Sequence, residues 1–398
     1  MMKAHRLLRA AVWLTAGWIT LVASTQAATL SAPIAAKALK AKKLADKEHY
    51  QQAIDVLVPM PKRGYDQAYI ARMLGIFYWQ NEQLEPSIKA LTIAVNSNEL
   101  EAQSMWSTRH MLADVLLIDK QYDKALHQYY RLAKRLPKGN KGDKIWLRIS
   151  QIHYQLGQWR KTLRGVQHYE QLGMPDAVQP LSLKVGAQLQ LSQWAGAIIS
   201  LKRLLLLEPD KKQWWMQLVN LEMRTKRYGD ALDSLALARL QGIPFEQHDR
   251  QLLAQLYAQN GIPERAAQVM STIKGLANNT NLLVTQAQYW QRAKAWDKAI
   301  ETWQLAARRD KQYHWQVAQL MLQQGQYQAV LSVLDKVEEP EHKADVALAR
   351  TRALYQLHQV DHALKQAYYA NRVQPSVEAK SWIRYLKHLK RLSKKHTS

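Results

Sequence analysis

The chain is predicted to be all-α, a superhelical solenoid of about ten helix-turn-helix units. Three observations carry this. A bulky residue followed three positions later by a small one recurs along the chain, as Tyr50/Ala53, Leu84/Ser87, Tyr122/Ala125, Trp159/Thr162, Trp194/Ala197, Tyr228/Ala231, Pro263/Ala266, Trp296/Ala299, Tyr327/Val330 and Val360/Ala363. Successive small residues lie 31 to 38 positions apart, a period that marks stacked supersecondary units. Gly and Pro, 15 and 12 of 398 residues, sit mostly between units, which argues against strands and for helices throughout.

Within a unit the apolar spacing is helical. Leu253, Ala254 and Tyr257 share one face of a first helix, Asn260-Gly261 breaks it, and Ala266, Met270 and Ile273 define a second. The small residue marks a close crossing, where a larger side chain would cost about 1–3 kcal/mol by overpacking. The next unit repeats the pattern with Ala287, Trp290, Ala299, Trp303 and Ala306. Pro137, Pro209 and Pro375 each lie 12 residues beyond their small residue and end the second helix. The units around Ala53, Thr162 and Val330 match the pattern least well. Lys138–Asp143 is a loop, Gln171–Pro180 a second possible hinge, and either could divide the stack. The predicted domains are residues 1–27 as a cleaved signal, 28–376 as the solenoid, and 377–398 as a capping helix with a disordered basic tail from Ser393.

The signal reading rests on Lys3, Arg6 and Arg9, the apolar run Ala10–Ala23, and small residues placing cleavage after Ala27. The apolar run falls short of the roughly 20 residues that span a bilayer. The chain has no cysteine, which excludes a lipoprotein anchor and suits an oxidising compartment. These features predict a soluble periplasmic protein. The net charge is +24, and removing Lys3, Arg6 and Arg9 with the signal leaves +21. In the periplasm no nucleic acid is expected. The polyanions there are phospholipid head groups, lipopolysaccharide, acidic polysaccharide or an acidic protein.

The first helices of such units line the concave side. Eleven residues before each small residue stand Gln151, Gly186, Asn220, Gln255, Gln288, Gln319 and Arg352; seven before stand Gln155, Gln190, Arg224, Gln259, Arg292, Gln323 and Gln356. The two rows are four residues apart, hence on one helical face. A primary amide both donates and accepts, so Asn220, Gln255, Gln259, Gln288, Gln319 and Gln323 suit an extended polypeptide backbone. The plain alternative is that Gln is simply a good exposed helix former. Trp214, Trp215, Trp303 and Trp315 are either partner anchors or core; Trp315, one turn from Gln319, is the best exposed candidate. Basic residues gather at Arg131–Arg148 and on the last helix, where Arg384, Lys387, Lys390 and Arg391 are candidates for an anionic membrane surface or polymer. A solvated face explains them equally well.

No catalytic constellation, cofactor motif or zinc helix is present. His358 and His362 flank a predicted helix turn and are poorly placed as joint metal ligands. The reading is therefore non-enzymatic, with no cofactor.

Two resemblances follow. The period and the Tyr-x-x-Ala spacing resemble the tetratricopeptide repeat. The run Pro209-Asp-Lys-Lys-Gln-Trp-Trp-Met-Gln-Leu218, with Tyr228-Gly-Asp-Ala-Leu232, Gln251–Tyr257, Trp296-Asp-Lys-Ala-Ile300 and Ala379–Tyr385, resembles periplasmic tetratricopeptide proteins described as components of TonB systems. The second likeness covers about residues 180–390. It implies a partner role with the TonB complex or an outer-membrane receptor in uptake of iron complexes or haem, and it carries over no catalytic residue. A periplasmic module binding acidic polysaccharide or peptidoglycan is the alternative.

Overall fold

The computed structural model describes residues 29–396 apart from 60 and 62. The expected signal segment, 1–27, and the last two residues lie outside the described residues, as do the side chains of 393–396.

Among the described residues, ten pairs of α-helices are followed by a final helix. They are α1 (Ala32–Ala45) with α2 (Tyr50–Leu57), α3 (Gly64–Gln80) with α4 (Leu84–Asn96), α5 (Ala102–Ile118) with α6 (Tyr122–Lys134), α7 (Asp143–Gln155) with α8 (Trp159–Gln171), and α9 (Val178–Gln190) with α10 (Trp194–Leu207). Then come α11 (Lys212–Arg224) with α12 (Tyr228–Leu240), α13 (Gln247–Gln259) with α14 (Pro263–Ser271), α15 (Thr280–Arg292) with α16 (Trp296–Arg309), α17 (His314–Gln323) with α18 (Tyr327–Leu334), and α19 (Lys343–Gln356) with α20 (Val360–Val373). The last helix, α21, spans Val377–His396. The chain divides into two compact units between Glu208 and Pro209. Within each, a second helix packs on its own first helix and on the first helix of the next pair.

The bulky-small pairs have a direct structural meaning. Every bulky member is the first residue of a second helix. Every small member, from Ala53 to Ala363, is 0% exposed. The crossing that buries it is close: Ser87 donates its hydroxyl to the Gly75 carbonyl of the facing helix at 2.7 Å.

The turn inside each pair is the same in all ten. The residue two before the bulky member is left-handed, with φ between 55° and 77°, at Glu48, Glu82, Lys120, Gly157, Ser192, Lys226, Gly261, Lys294, Gly325 and His358. The next amide reaches back to the carbonyl five residues earlier at 2.8–3.0 Å, as Gln83 N–H does to Tyr78 and Ala295 N–H to Trp290. This is the Schellman closure, which satisfies carbonyls left over at the helix end. Only three of the ten positions are glycine, the residue that adopts this conformation without steric cost. The other seven hold a side chain against roughly 1–2 kcal/mol of strain. Lys294→Gly is therefore expected to raise stability by about 0.5–1 kcal/mol, the relief being partly offset by the freer unfolded chain. A urea titration that shows no gain would count against stored turn strain.

Three sequence expectations need correction. Neither Lys138–Asp143 nor Gln171–Pro180 divides the stack. The second is pinned, because Arg203 Nε of α10 donates to Asp176 in the loop at 2.8 Å and its Nη1 donates to Glu170 of α8 at 2.9 Å. Lys184 of α9 closes the same group on Glu170 at 2.8 Å. Ile273 lies beyond α14, which stops at Ser271, yet it stays buried in the closing turn. The expected disordered tail is helical to His396, since α21 runs four residues past Leu392. That helix does cover the last pair: Leu386 and Ala379 are fully buried, and Trp382, Ile383 and Leu389 pack around Leu354, Ala363 and Ala367.

Candidate binding surface

First helices present the two predicted rows to solvent. In the second compact unit Asn220 and Arg224 of α11, Gln255 and Gln259 of α13, Gln288 and Arg292 of α15, Gln319 and Gln323 of α17, and Arg352 and Gln356 of α19 are all exposed. The face is exposed because the opposite side of each helix carries the core, as Leu253, Ala254 and Leu256 do in α13. Row members already in contact include Arg292, whose Nη2 donates to the Ala258 carbonyl at 3.2 Å, and Arg352, which stands 3.8 Å from Glu378.

The first compact unit departs from the ladder for a steric reason. Gly186 occupies the row in α9, and a Cβ there would lie 2.4 Å from the Tyr154 hydroxyl of α7. Tyr154 thus takes the space of an amide side chain. Beside it opens a cavity of about 460 Å³, lined by Leu117 and Ile118 of α5, Tyr122 of α6, Arg148, Gln151 and Gln155 of α7, and Leu183 of α9. Arg148 Nη1 donates to Gln151 Oε1 at 3.1 Å, which holds both heads at the rim. Arg148 and Tyr154 were not singled out as site residues from sequence; the glycine interrupting an amide row was the available signal.

The tryptophans separate by depth. Trp215 and Trp303 are 8% and 4% exposed, and their indole N–H groups are used internally, on the Pro209 carbonyl at 2.8 Å and on Gln291 Oε1 at 3.4 Å. Both are core. Trp315 is half-buried; one ring face stacks on His342 at 5.1 Å and 22°, and the ring packs against the Trp303 cluster.

On α21, Lys380, Arg384, Lys387 and Arg391 form one exposed stripe opposite the packed face. Lys387 lies over the Tyr368 ring at 5.2 Å, and Lys390 pairs with Asp361, whose carboxyl is held below the usual range by that hydrogen bond. Two of the four predicted anion contacts are thus engaged with α20. Among the described residues no group of three or more His, Cys, Asp or Glu could hold a metal ion. His358 is a turn residue and His362 Nδ1 lies 3.3 Å from Gln359 Oε1.

The paired helices, their shared turn and this open face define a tetratricopeptide-type helical-repeat protein, a class consistent with a non-catalytic interaction scaffold. No family model and no curated protein matches the chain. Among solved structures, a tetratricopeptide repeat protein from Parabacteroides merdae is 14% identical over 64% of this chain and 98% of its own, with a TM-score of 0.36. The C-terminal part of a repeat protein from Cytophaga hutchinsonii is 14% identical over 68% and 95%, at 0.38. The P58(IPK) repeat domain is 12% identical over 91% and 99%, at 0.25. Such scores are too low to carry an argument about function.

Proposed function

We propose that this chain is a non-catalytic periplasmic scaffold that presents its amide-lined face to an extended segment of a partner protein. The partner we favour belongs to TonB-dependent outer-membrane transport, either the TonB complex or a receptor for iron complexes or haem. The observation carrying the reading is the exposed row Asn220, Gln255, Gln288 and Gln319, with Gln259 and Gln323 one turn on. Amides repeated on successive first helices can both donate to and accept from a peptide backbone, whatever its side chains. The periplasmic and TonB parts rest on the signal-like N-terminus and the residue runs after Pro209. No helix among the described residues is long and apolar enough to cross a membrane.

In-cell photocrosslinking at Gln288 and Trp315 tests the reading. Capture of TonB, its motor subunits or a receptor supports it, and capture of polymer-export or wall-synthesis proteins rejects it. With the captured partner, replacing Gln255, Gln288 and Gln319 together by Ala is expected to weaken affinity about tenfold or more, each lost hydrogen bond contributing about 0.5–1.5 kcal/mol. Unchanged affinity would remove the amide face from the contact. A second reading, attachment to acidic polysaccharide or peptidoglycan, is favoured by the stripe of Lys380, Arg384, Lys387 and Arg391. It predicts binding that collapses between low and moderate salt.

A further inference from the structure

The fourth helix pair holds a second cavity, which shares no lining residue with the first-helix face. It measures about 400 Å³ and lies among α6, α7 and α8. That size suits a small molecule, such sites running about 300–1,000 Å³. Gly165 forms one wall. A Cβ there would sit 2.3 Å from Ser150 Oγ, so glycine lets α8 approach α7 and leaves the wall bare. The equivalent residues of the neighbouring pairs are Gln128 and Ser200.

His153, 2% exposed, stands at this cavity, in a position that the other pairs fill with Leu44, Tyr78, Leu116, Gln188, Glu222, Tyr257, Trp290, Met321 or Leu354. Its Nδ1 lies 2.8 Å from Gln158 Oε1 and its Nε2 lies 2.7 Å from the Tyr130 hydroxyl. An amide oxygen only accepts, so Nδ1 donates to Gln158 and Nε2 accepts from Tyr130. Burial, with the Lys161 and Arg164 cations nearby, holds the ring below its ordinary pKa and keeps it neutral. The Tyr130 oxygen retains lone pairs to accept from a ligand. Lys161 and Arg164, one turn apart on α8, are exposed and line the same cavity. Among the described residues neither side chain has an ion pair or hydrogen bond. Asp123 supplies an acceptor at the rim. One face of Trp146 is already covered. His168 stacks on it at 4.0 Å and 21°, and Tyr130 meets it edge-on at 6.2 Å.

We infer that this cavity binds a small hydroxylated anion, a sugar acid or sugar phosphate, with its anionic group between Lys161 and Arg164 and its hydroxyls on Tyr130 and Asp123. The two unpaired cations select the charge, and Tyr130 and Asp123 offer acceptors to hydroxyls. The inference is independent of the amide face.

Isothermal titration of the full chain with D-glucuronate, D-glucose 6-phosphate and D-glucose tests it. One-site binding of either anion, without binding of glucose, is expected. Preference between the two anions identifies the carboxylate or the phosphate source. The double variant Lys161→Ala/Arg164→Ala should lose at least about tenfold in affinity, because two charge-assisted hydrogen bonds go. Both residues are exposed, so the fold should persist, checked by circular dichroism. Tyr130→Phe keeps the ring and should weaken binding about threefold or more, whereas the Gln255/Gln288/Gln319 alanine variant should bind normally. Failure of both anions to bind, equal binding of glucose, or wild-type affinity in the double variant would each overturn the inference.

Discussion

Trp303→Ala is expected to lower the stability of the second compact unit by about 3–5 kcal/mol, the usual cost of emptying a large aromatic site in a core. The indole is 4% exposed and belongs to a cluster with Trp290, Ala299, Ala306, Val317 and Met321. Tyr313 leans on it at 5.6 Å, and its N–H meets Gln291 Oε1. The residue thus joins α15, α16 and α17, and its removal opens a void at the meeting of two pairs. In a stack each pair is stabilised mainly by its neighbours, so the loss should appear first as local opening. Hydrogen exchange reads this directly. Amides of α15–α17 should lose protection strongly while those of α1–α6 keep theirs. A change below about 1 kcal/mol would mean that the site collapses around the gap, contrary to its tight packing.

Gly75→Leu is the second large effect, in the opposite direction of volume. Helix α3 crosses α4 so closely at this point that a Cβ on residue 75 would lie 2.5 Å from Leu91 Cγ and 3.3 Å from its backbone nitrogen. The same crossing carries the Ser87 hydroxyl bond to the Gly75 carbonyl. A leucine there gains about 1 kcal/mol of helix propensity over glycine, but it must push the helices apart. Overpacking costs about 1–3 kcal/mol, occasionally more. The loss of the Ser87 bond adds about 1 kcal/mol. A net loss of about 2 kcal/mol is expected in guanidinium unfolding, with Gly75→Ala intermediate. Equal or higher stability of the leucine variant would show that the crossing has slack.

Much of the repeat was legible because its determinants are local. The bulky residue is the first of a helix, the small one is three later at the crossing, and both follow from the closing of one turn. Seven of those turns lack the glycine that would have advertised them, so the left-handed residue at Lys294 or Glu82 could not be read from residue type. Exposure of the amide rows also followed from helical period alone.

What the sequence by itself determined is therefore the repeat: its period, its ten pairs, the buried crossing residues and the solvent-facing Gln row. Only tertiary structure decided which of these groups are already engaged. Trp315 stacks on His342, Lys387 and Lys390 turn toward α20, Tyr154 fills the place of an amide at Gly186, and Tyr130, His153 and Arg164 converge on one cavity. The reason is physical. Periodicity fixes which side of a helix a residue takes, through spacings of three and four. The partner it meets lies across a crossing or on the next pair, where side-chain size and the local approach of two helices set the contact.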